Sequence, residues 1–321
     1  MKAVKEIVAL VLFAALLAGF VGAYTQLVTP ERKDYGSNWA AFLLEERDSL
    51  DVMVFGSSIA YCAVIPAVLY EETGCAPYVL AGPHQTLGQT YYYMREAFKT
   101  QSPSLAMVEL TGIFYPRYSQ YTRVNVGYIP WSVNRLQATF RTAEREEWLG
   151  LLFPLYNYHD NFDAPNRNAF HPQSDELAGY TPVSGIYKAG EPEPREVEFE
   201  SDVYETNLDY IDKIAALCAE RDTELIFFLA PTKNRWDAEY LEPFITWMDA
   251  REDCVFLDFT KSAEELGLDL DVDFFDLRHV NTTGARVFTA ALARYADGHD
   301  RKAADPGLWR ARVERFEALY H

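Results

Sequence analysis

Apolar residues fall along this chain in one long run and several short ones. The long run extends unbroken from Ile7 to Ala23, after Lys2 and Lys5. Five short runs, Asp51 to Phe55, Pro77 to Ala81, Leu105 to Leu110, Glu224 to Ala230 and Val255 to Phe259, are rich in aliphatic and aromatic residues and bounded by turn formers. They read as strands buried on both faces. Between them the pattern changes to helical spacing. Helices are predicted over Trp39 to Leu44, Pro66 to Thr73 (closed by Gly74), Tyr91 to Lys99, Trp131 to Gly150, Ser201 to Ala219, Asp237 to Asp249 and Gly284 to Ala296. A charged amphipathic helix is expected over Asp300 to His321. Strands alternating with helices predict a mostly parallel sheet covered on both faces, a three-layer α/β/α sandwich.

The regularity lapses over residues 112–200, which are rich in Tyr, Asn and Pro. This stretch reads as an irregular insertion, a lid or substrate platform, with a small helical subdomain as the alternative. The expected organisation is a membrane segment over 1–24, a tether and lead-in helix over 25–50, an α/β domain over 51–299 carrying the insertion, and a C-terminal helix over 300–321. The first segment is long enough to span a bilayer. Its lysines place the N-terminus in the cytoplasm and the rest outside. A signal peptide cleaved at Val21-Gly22-Ala23 is the competing reading, and a buried N-terminal helix the third.

Composition narrows the chemistry. The chain has 321 residues and a formal net charge of −19, which excludes nucleic acid as a partner because phosphate neutralisation needs clustered Lys and Arg. Four cysteines, Cys62, Cys75, Cys218 and Cys254, leave disulfide pairing open. No C-x-x-C and no His cluster is present, so neither metal nor cofactor is expected.

The candidate chemistry lies in two motifs far apart. Gly56-Ser57-Ser58 ends the first predicted strand, and Asp276-Leu277-Arg278-His279 precedes the last core helix. A serine hydroxyl needs an imidazole to take its proton, and a carboxylate three residues before the histidine can fix its tautomer. Ser58 is the expected nucleophile, His279 the base and acid, and Asp276 the orienting group, with Ser57 as the alternative nucleophile. The Ser58 amide and Gly82, in the turn after the second strand, are the candidate oxyanion donors; an ordinary turn glycine is the other reading of Gly82. Ser57, His84, Gln85 and His159 are candidates for substrate contact or support. Glu109, at a strand end, reads as a cap, a solvated carboxylate or a supporting group.

Phe55-Gly56-Ser57-Ser58, the Gly82 turn and Asp276-x-x-His279 together resemble the SGNH (GDSL-type) hydrolase family. Within it they resemble a subgroup of Gram-positive cell-surface proteins related to the D-alanyl transfer protein of lipoteichoic acid biosynthesis. The resemblance spans roughly residues 51–115 and 200–297. Ser57 stands where the broader family has Asp, and Ile59 where the subgroup often has His. Glu109-Leu110-Thr111-Gly112 replaces the block that supplies an asparagine oxyanion donor, which leaves Gln85, Gln89 or His84 to replace it. The resemblance implies an SGNH-like, flavodoxin-like fold and serine-dependent ester hydrolysis or O-acyl transfer outside the membrane. It implies an acylated polysaccharide or teichoic-acid-like substrate and a membrane-bound O-acyltransferase as partner. A catalytically weak accessory that binds such a polymer or partner is the alternative. A general lipase is disfavoured because the chain has no Gly-x-Ser-x-Gly elbow.

Overall fold

The computed structural model of the protein describes residues 2–31, 36–187, 194–195, 201–236, 238–299, 301–302 and 304–320. Five strands form one parallel sheet: β1 (Val52–Gly56), β2 (Pro77–Ala81), β3 (Leu105–Glu109), β5 (Glu224–Leu229) and β7 (Val255–Asp258), in the order β2-β1-β3-β5-β7. A two-residue pairing joins β4 (Pro194–Arg195) to β6 (Arg235–Trp236). The first three strands are buried at every position, as expected of a parallel sheet covered on both sides.

Alternate residues of β1 serve the two faces. Met53 and Phe55 join a core with Tyr93, Met94, Ile211, Ile214 and Phe244. These come from α5 (Leu87–Ala97), α10 (Ser201–Ala219) and α11 (Ala238–Asp249). Val52 and Val54 face Ile59, Leu69, Phe288 and Leu292, from α3 (Ser58–Ala63), α4 (Pro66–Thr73) and α12 (Thr282–Ala293). The expected α/β architecture is therefore present, with α13 (Pro306–Tyr320) packed against α4. Gly74 closes α4 in the left-handed conformation (φ 72°), where a side chain would be strained. The ends of the expected C-terminal segment, Asp300 and His321, lie outside the described residues, as does Asp237 before α11.

Ahead of the sheet are α1 (Lys2–Val28) and α2 (Trp39–Phe42). α1 is long and apolar enough to cross a membrane, a property it shares with signal sequences, and only Val28 is buried. This corrects the reading of a buried N-terminal helix.

The helix expected over Trp131 to Gly150 is broken. α6 (Thr122–Val126) precedes it; α7 (Val133–Thr142) ends before a 3₁₀ turn, and α8 (Trp148–Leu152) and α9 (Leu155–Tyr158) follow. Ser132 caps α7 by accepting from the Arg135 N–H, and Ala143 leaves it in extended conformation. Val126, Ile129, Ala138 and Leu151 extend the main core. Residues 178–187 run as a strap along the α/β body: Val79 N–H donates to Ala178 O and Thr181 N–H to Tyr61 O. Ser37 N–H donates to Ala81 O on the same side, so the β2 edge is covered rather than open. All four cysteines are free.

Candidate active site

The sheet order reverses between β1 and β3, and ligands of open α/β sheets bind beyond the strand ends at such a switch point. Gly56 and Glu109 end these two strands. Gly56 has φ 145°, and a Cβ there would lie 2.8 Å from Glu109 Cβ. Glycine is required both for the backbone angle and for the approach of the two strand ends. The chain then turns into α3. Ser57 caps it, its hydroxyl accepting from the Ile59 N–H. Ser58 occupies the first helical position, where the amide has no intrahelical acceptor.

The histidine arrives on a tight loop. Phe275 N–H donates to His279 O at 2.9 Å, and Phe274 bridges Val280. Three donors from the segment after β5 fasten this loop to the sheet: the Thr232 hydroxyl and the Lys233 and Asn234 N–H groups all reach Leu277 O. Asn281 then caps α12, accepting from Gly284 N–H, while its Nδ2 holds Val272 O at 2.6 Å. The carboxyl edge of the sheet thus carries both motifs, and they meet. His279 Nε2 lies 2.9 Å from Ser58 Oγ, and His279 Nδ1 lies 2.8 Å from Asp276 Oδ2.

Asp276 Oδ1 also accepts from the Arg278 and His279 N–H groups. Partial burial raises its pKa, but the bonds and charge of His279 and these two N–H groups outweigh it and bring it down to about 2. The carboxylate is therefore ionised at neutral pH and holds Nδ1–H, leaving Nε2 as the acceptor facing Ser58. Ile59 and Arg278, the chain neighbours of Ser58 and His279, line a small recess with Thr111, Ala230, Thr232 and Thr260.

Beneath the nucleophile turn sits Glu109, fully buried. Its carboxylate accepts from Ser57 Oγ at 3.0 Å and from the Thr111 N–H at 2.7 Å, and the Thr111 hydroxyl is a third donor. Burial pushes its pKa up, and the three donors partly offset this. It is neither a solvated carboxylate nor a helix cap. It ties Ser57, just after β1, to Thr111, just after β3. Ser57 is therefore a turn-holding residue, and the hydroxyl facing the imidazole is that of Ser58.

Gly82 N–H donates to Gly56 O at 3.3 Å, so it would have to leave that bond to serve an oxyanion. A Cβ on Gly82 would collide with Asn125 Oδ1 and approach Gln85 Oε1, two buried acceptors without donors. Gln85 thus turns oxygen, not N–H, toward Gly82, while its Nε2 donates to Thr90 Oγ1. Gln89 donates to Thr122 Oγ1 and completes the capping box of α5. His84 stacks on Tyr115 at 3.8 Å, with Nδ1 on Ser119 Oγ. His159 is exposed in the insertion, its carbonyl accepting from Tyr24 of α1; it belongs to the foot of α1 rather than to the Ser58 site. Of the tyrosines of the insertion, Tyr115 is buried against His84, and Tyr128 donates to Pro30 O. Sequence reasoning missed Asn125, which lies outside any motif, and the Thr232–Asn234 clamp, which acts largely through backbone.

No family model matches the chain, and no curated protein matches it. Among solved structures it is similar to one described as a "putative acylhydrolase" from Bacteroides fragilis, at 12% identity and a TM-score of 0.39, covering 83% of this chain and 97% of that one.

Proposed function

We propose that the protein is a serine-dependent acyl-transfer enzyme, an esterase or O-acyltransferase, with Ser58 as nucleophile. The observation that carries this reading is the continuous path Ser58 Oγ, His279 Nε2, His279 Nδ1, Asp276 carboxylate, at 2.9 and 2.8 Å. In the first half-reaction Ser58 Oγ attacks the acyl carbonyl and its proton passes to His279 Nε2. The C–O bond to the leaving alcohol breaks, and that alcohol takes the proton from His279. In the second half-reaction water or an acceptor hydroxyl gives its proton to His279 and attacks the acyl carbon, and the bond to Ser58 Oγ breaks as His279 returns the proton to that oxygen. Asp276 holds the ring and stabilises the transient imidazolium. The Ser58 amide is the oxyanion donor best placed by the chain; Gly82 would join it on leaving Gly56 O.

With α1 in a membrane and Lys2 and Lys5 on the cytoplasmic side, the site acts outside the cytoplasm. The resemblance to SGNH hydrolases and to the Gram-positive cell-surface subgroup supports an acylated cell-envelope or exopolysaccharide substrate. It also supports a membrane-bound O-acyltransferase as the partner that loads the acyl group. The second reading, a catalytically weak accessory, is favoured by one observation: the side chains nearest Gly82 present acceptors, not donors.

The test is fluorophosphonate labelling of the full chain in neutral detergent, beside Ser58→Ala and His279→Ala. Labelling of the wild type alone is expected. A folded wild type that does not label would overturn the enzyme reading in favour of the accessory, which should keep its cellular role as Ser58→Ala.

A further inference from the structure

Away from the sheet edge, a cavity of about 510 Å³ opens where α1 meets the insertion. That volume lies within the roughly 300–1,000 Å³ of small-ligand sites. The meeting is built by hydrogen bonds: Asn166 N–H and Asn161 Nδ2 donate to Leu27 O and Val28 O, and Tyr24 donates to His159 O. The first two satisfy carbonyls that the last turn of α1 would leave without partners. The same bonds fix the cavity at the level where the apolar helix ends, which is the bilayer interface when α1 spans it. Trp131 and Phe153, on its wall, are 58% and 64% exposed, and such aromatics are at home in that layer.

One residue in the wall is out of keeping with an apolar pocket. Arg135 is only 5% exposed, yet among the described residues no carboxylate pairs with it. Its two terminal nitrogens donate to Ile129 O and Leu151 O, its Nε has no partner, and its guanidinium lies 3.9 Å from the centre of the Trp131 ring. Burial unopposed by any anion lowers its pKa to about 10. A buried cation held only by neutral groups is costly and calls for an anion. Glu31 also borders the cavity, but its carboxylate accepts from Asn168 Nδ2 and does not reach Arg135.

We propose that this cavity binds an anionic membrane phospholipid, with an acyl chain against the apolar wall of α1 and the insertion and the phosphate facing Arg135. The net charge of −19 makes general attraction to an anionic surface unfavourable, so the preference must arise locally at Arg135.

The test titrates full chain in neutral detergent with brominated phosphatidylglycerol and, separately, brominated phosphatidylcholine of equal chain length, reading tryptophan quenching. Saturable binding with a preference of about tenfold or more for phosphatidylglycerol is expected, the worth of one charge-assisted contact. Arg135→Gln should bring the two lipids level, and Arg135→Lys should keep part of the preference. Because Arg135 also holds two carbonyls, its replacement disturbs the fold as well as the charge, and Gly22→Phe gives an independent arm. Gly22 borders the cavity, and a Cβ on it meets nothing within 4 Å, so the ring enters open space. It should weaken phosphatidylglycerol binding about tenfold while leaving Ser58 labelling intact. Equal affinity of the wild type for both lipids, a preference that survives in folded Arg135→Gln, or unchanged binding in Gly22→Phe would each overturn the proposal.

Discussion

The sheet edge and the insertion solve different problems with the same kinds of residue. At the sheet edge the turns that carry Ser58 and His279 are fastened to strand ends. Glu109 and Gly56 join β3 and β1, and Leu277 O is held by three donors beyond β5. In the insertion, short helices are tied to the foot of α1 through asparagine side chains, and large apolar residues such as Phe153 and Phe162 remain exposed. The first region is built to hold a few atoms within a hydrogen-bond length. The second is built to meet something outside the chain. If the comparison is right, substitutions at the sheet edge change chemistry steeply, and substitutions in the insertion change attachment.

The steepest effects belong to the triad. Ser58→Ala should abolish labelling and ester turnover, and His279→Ala should lower turnover by about 10⁵–10⁶. Asp276→Asn should cost about 10⁴, because the ring loses its fixed tautomer. Esterase assays on a panel of acetyl and D-alanyl esters check all three. The low pKa of Asp276 adds a sign. It contributes stability above the unfolded value of about 3.9, and that contribution is lost as pH falls through about 2. An acid limb of activity near neutrality therefore does not come from Asp276, and Asp276→Asn should lower the melting temperature at neutral pH, the difference from the wild type vanishing as pH falls through about 2.

Next in size is Gly56→Ala. It adds a Cβ 2.8 Å from Glu109 Cβ and 3.2 Å from Ala60 Cβ, at a backbone angle that side chains rarely adopt. A loss of about 3 kcal/mol or more in unfolding free energy is expected, with weakened Ser58 labelling. A variant with unchanged stability and labelling would mean that the strand ends are not tightly set.

Glu109→Gln is milder and more informative. With Gln, Oε1 can keep both Thr111 donors, but Nε2 then faces Ser57 Oγ, whose hydroxyl must turn its proton away and accept, at a cost of about 0.5–1.5 kcal/mol. The folded pKa of Glu109 is raised, so its folded state holds the proton more readily than the unfolded chain. Its contribution to stability is therefore greatest below the unfolded value of about 4.3 and declines as pH rises toward the raised folded value. Melting temperature measured across that range should decline less with pH in Glu109→Gln than in the wild type. An identical slope in both would remove Glu109 from the titrating groups.

How far the sequence could be read follows the same division. Pro66–Thr73 with its Gly74 cap, Pro77–Ala81 and Ser201–Ala219 form where the pattern puts them, because a strand buried on both faces or a long amphipathic helix imposes its own periodicity. The triad was legible for a different reason: Asp276 and His279 are local to one loop, and Ser58 follows a recognisable strand end. What supports them was not. Glu109 looks like any strand-end carboxylate until the fold closes Gly56 over it. Arg135 was counted within one long helix, and the break at Ala143 is what sets α8 and α9 at the foot of α1. In that region contacts across sequence, not local periodicity, decide the conformation.

The smallest expected effect tests the insertion against this division. Asn161 Nδ2 holds Val28 O at 2.8 Å in a partly buried setting, one of three bonds by which residues 159–166 grip the end of α1. Asn161→Ala should cost about 0.5–1.5 kcal/mol, and that loss should be local because no core side chain is disturbed. Hydrogen exchange should rise in the peptides around α9 and at the end of α1, while those covering β1 and β3 stay unchanged. Ser58 labelling should proceed at the wild-type rate. If labelling slowed together with exchange at β1, the insertion and the sheet edge would be one cooperative unit, and attachment at the foot of α1 would be coupled to the chemistry at Ser58.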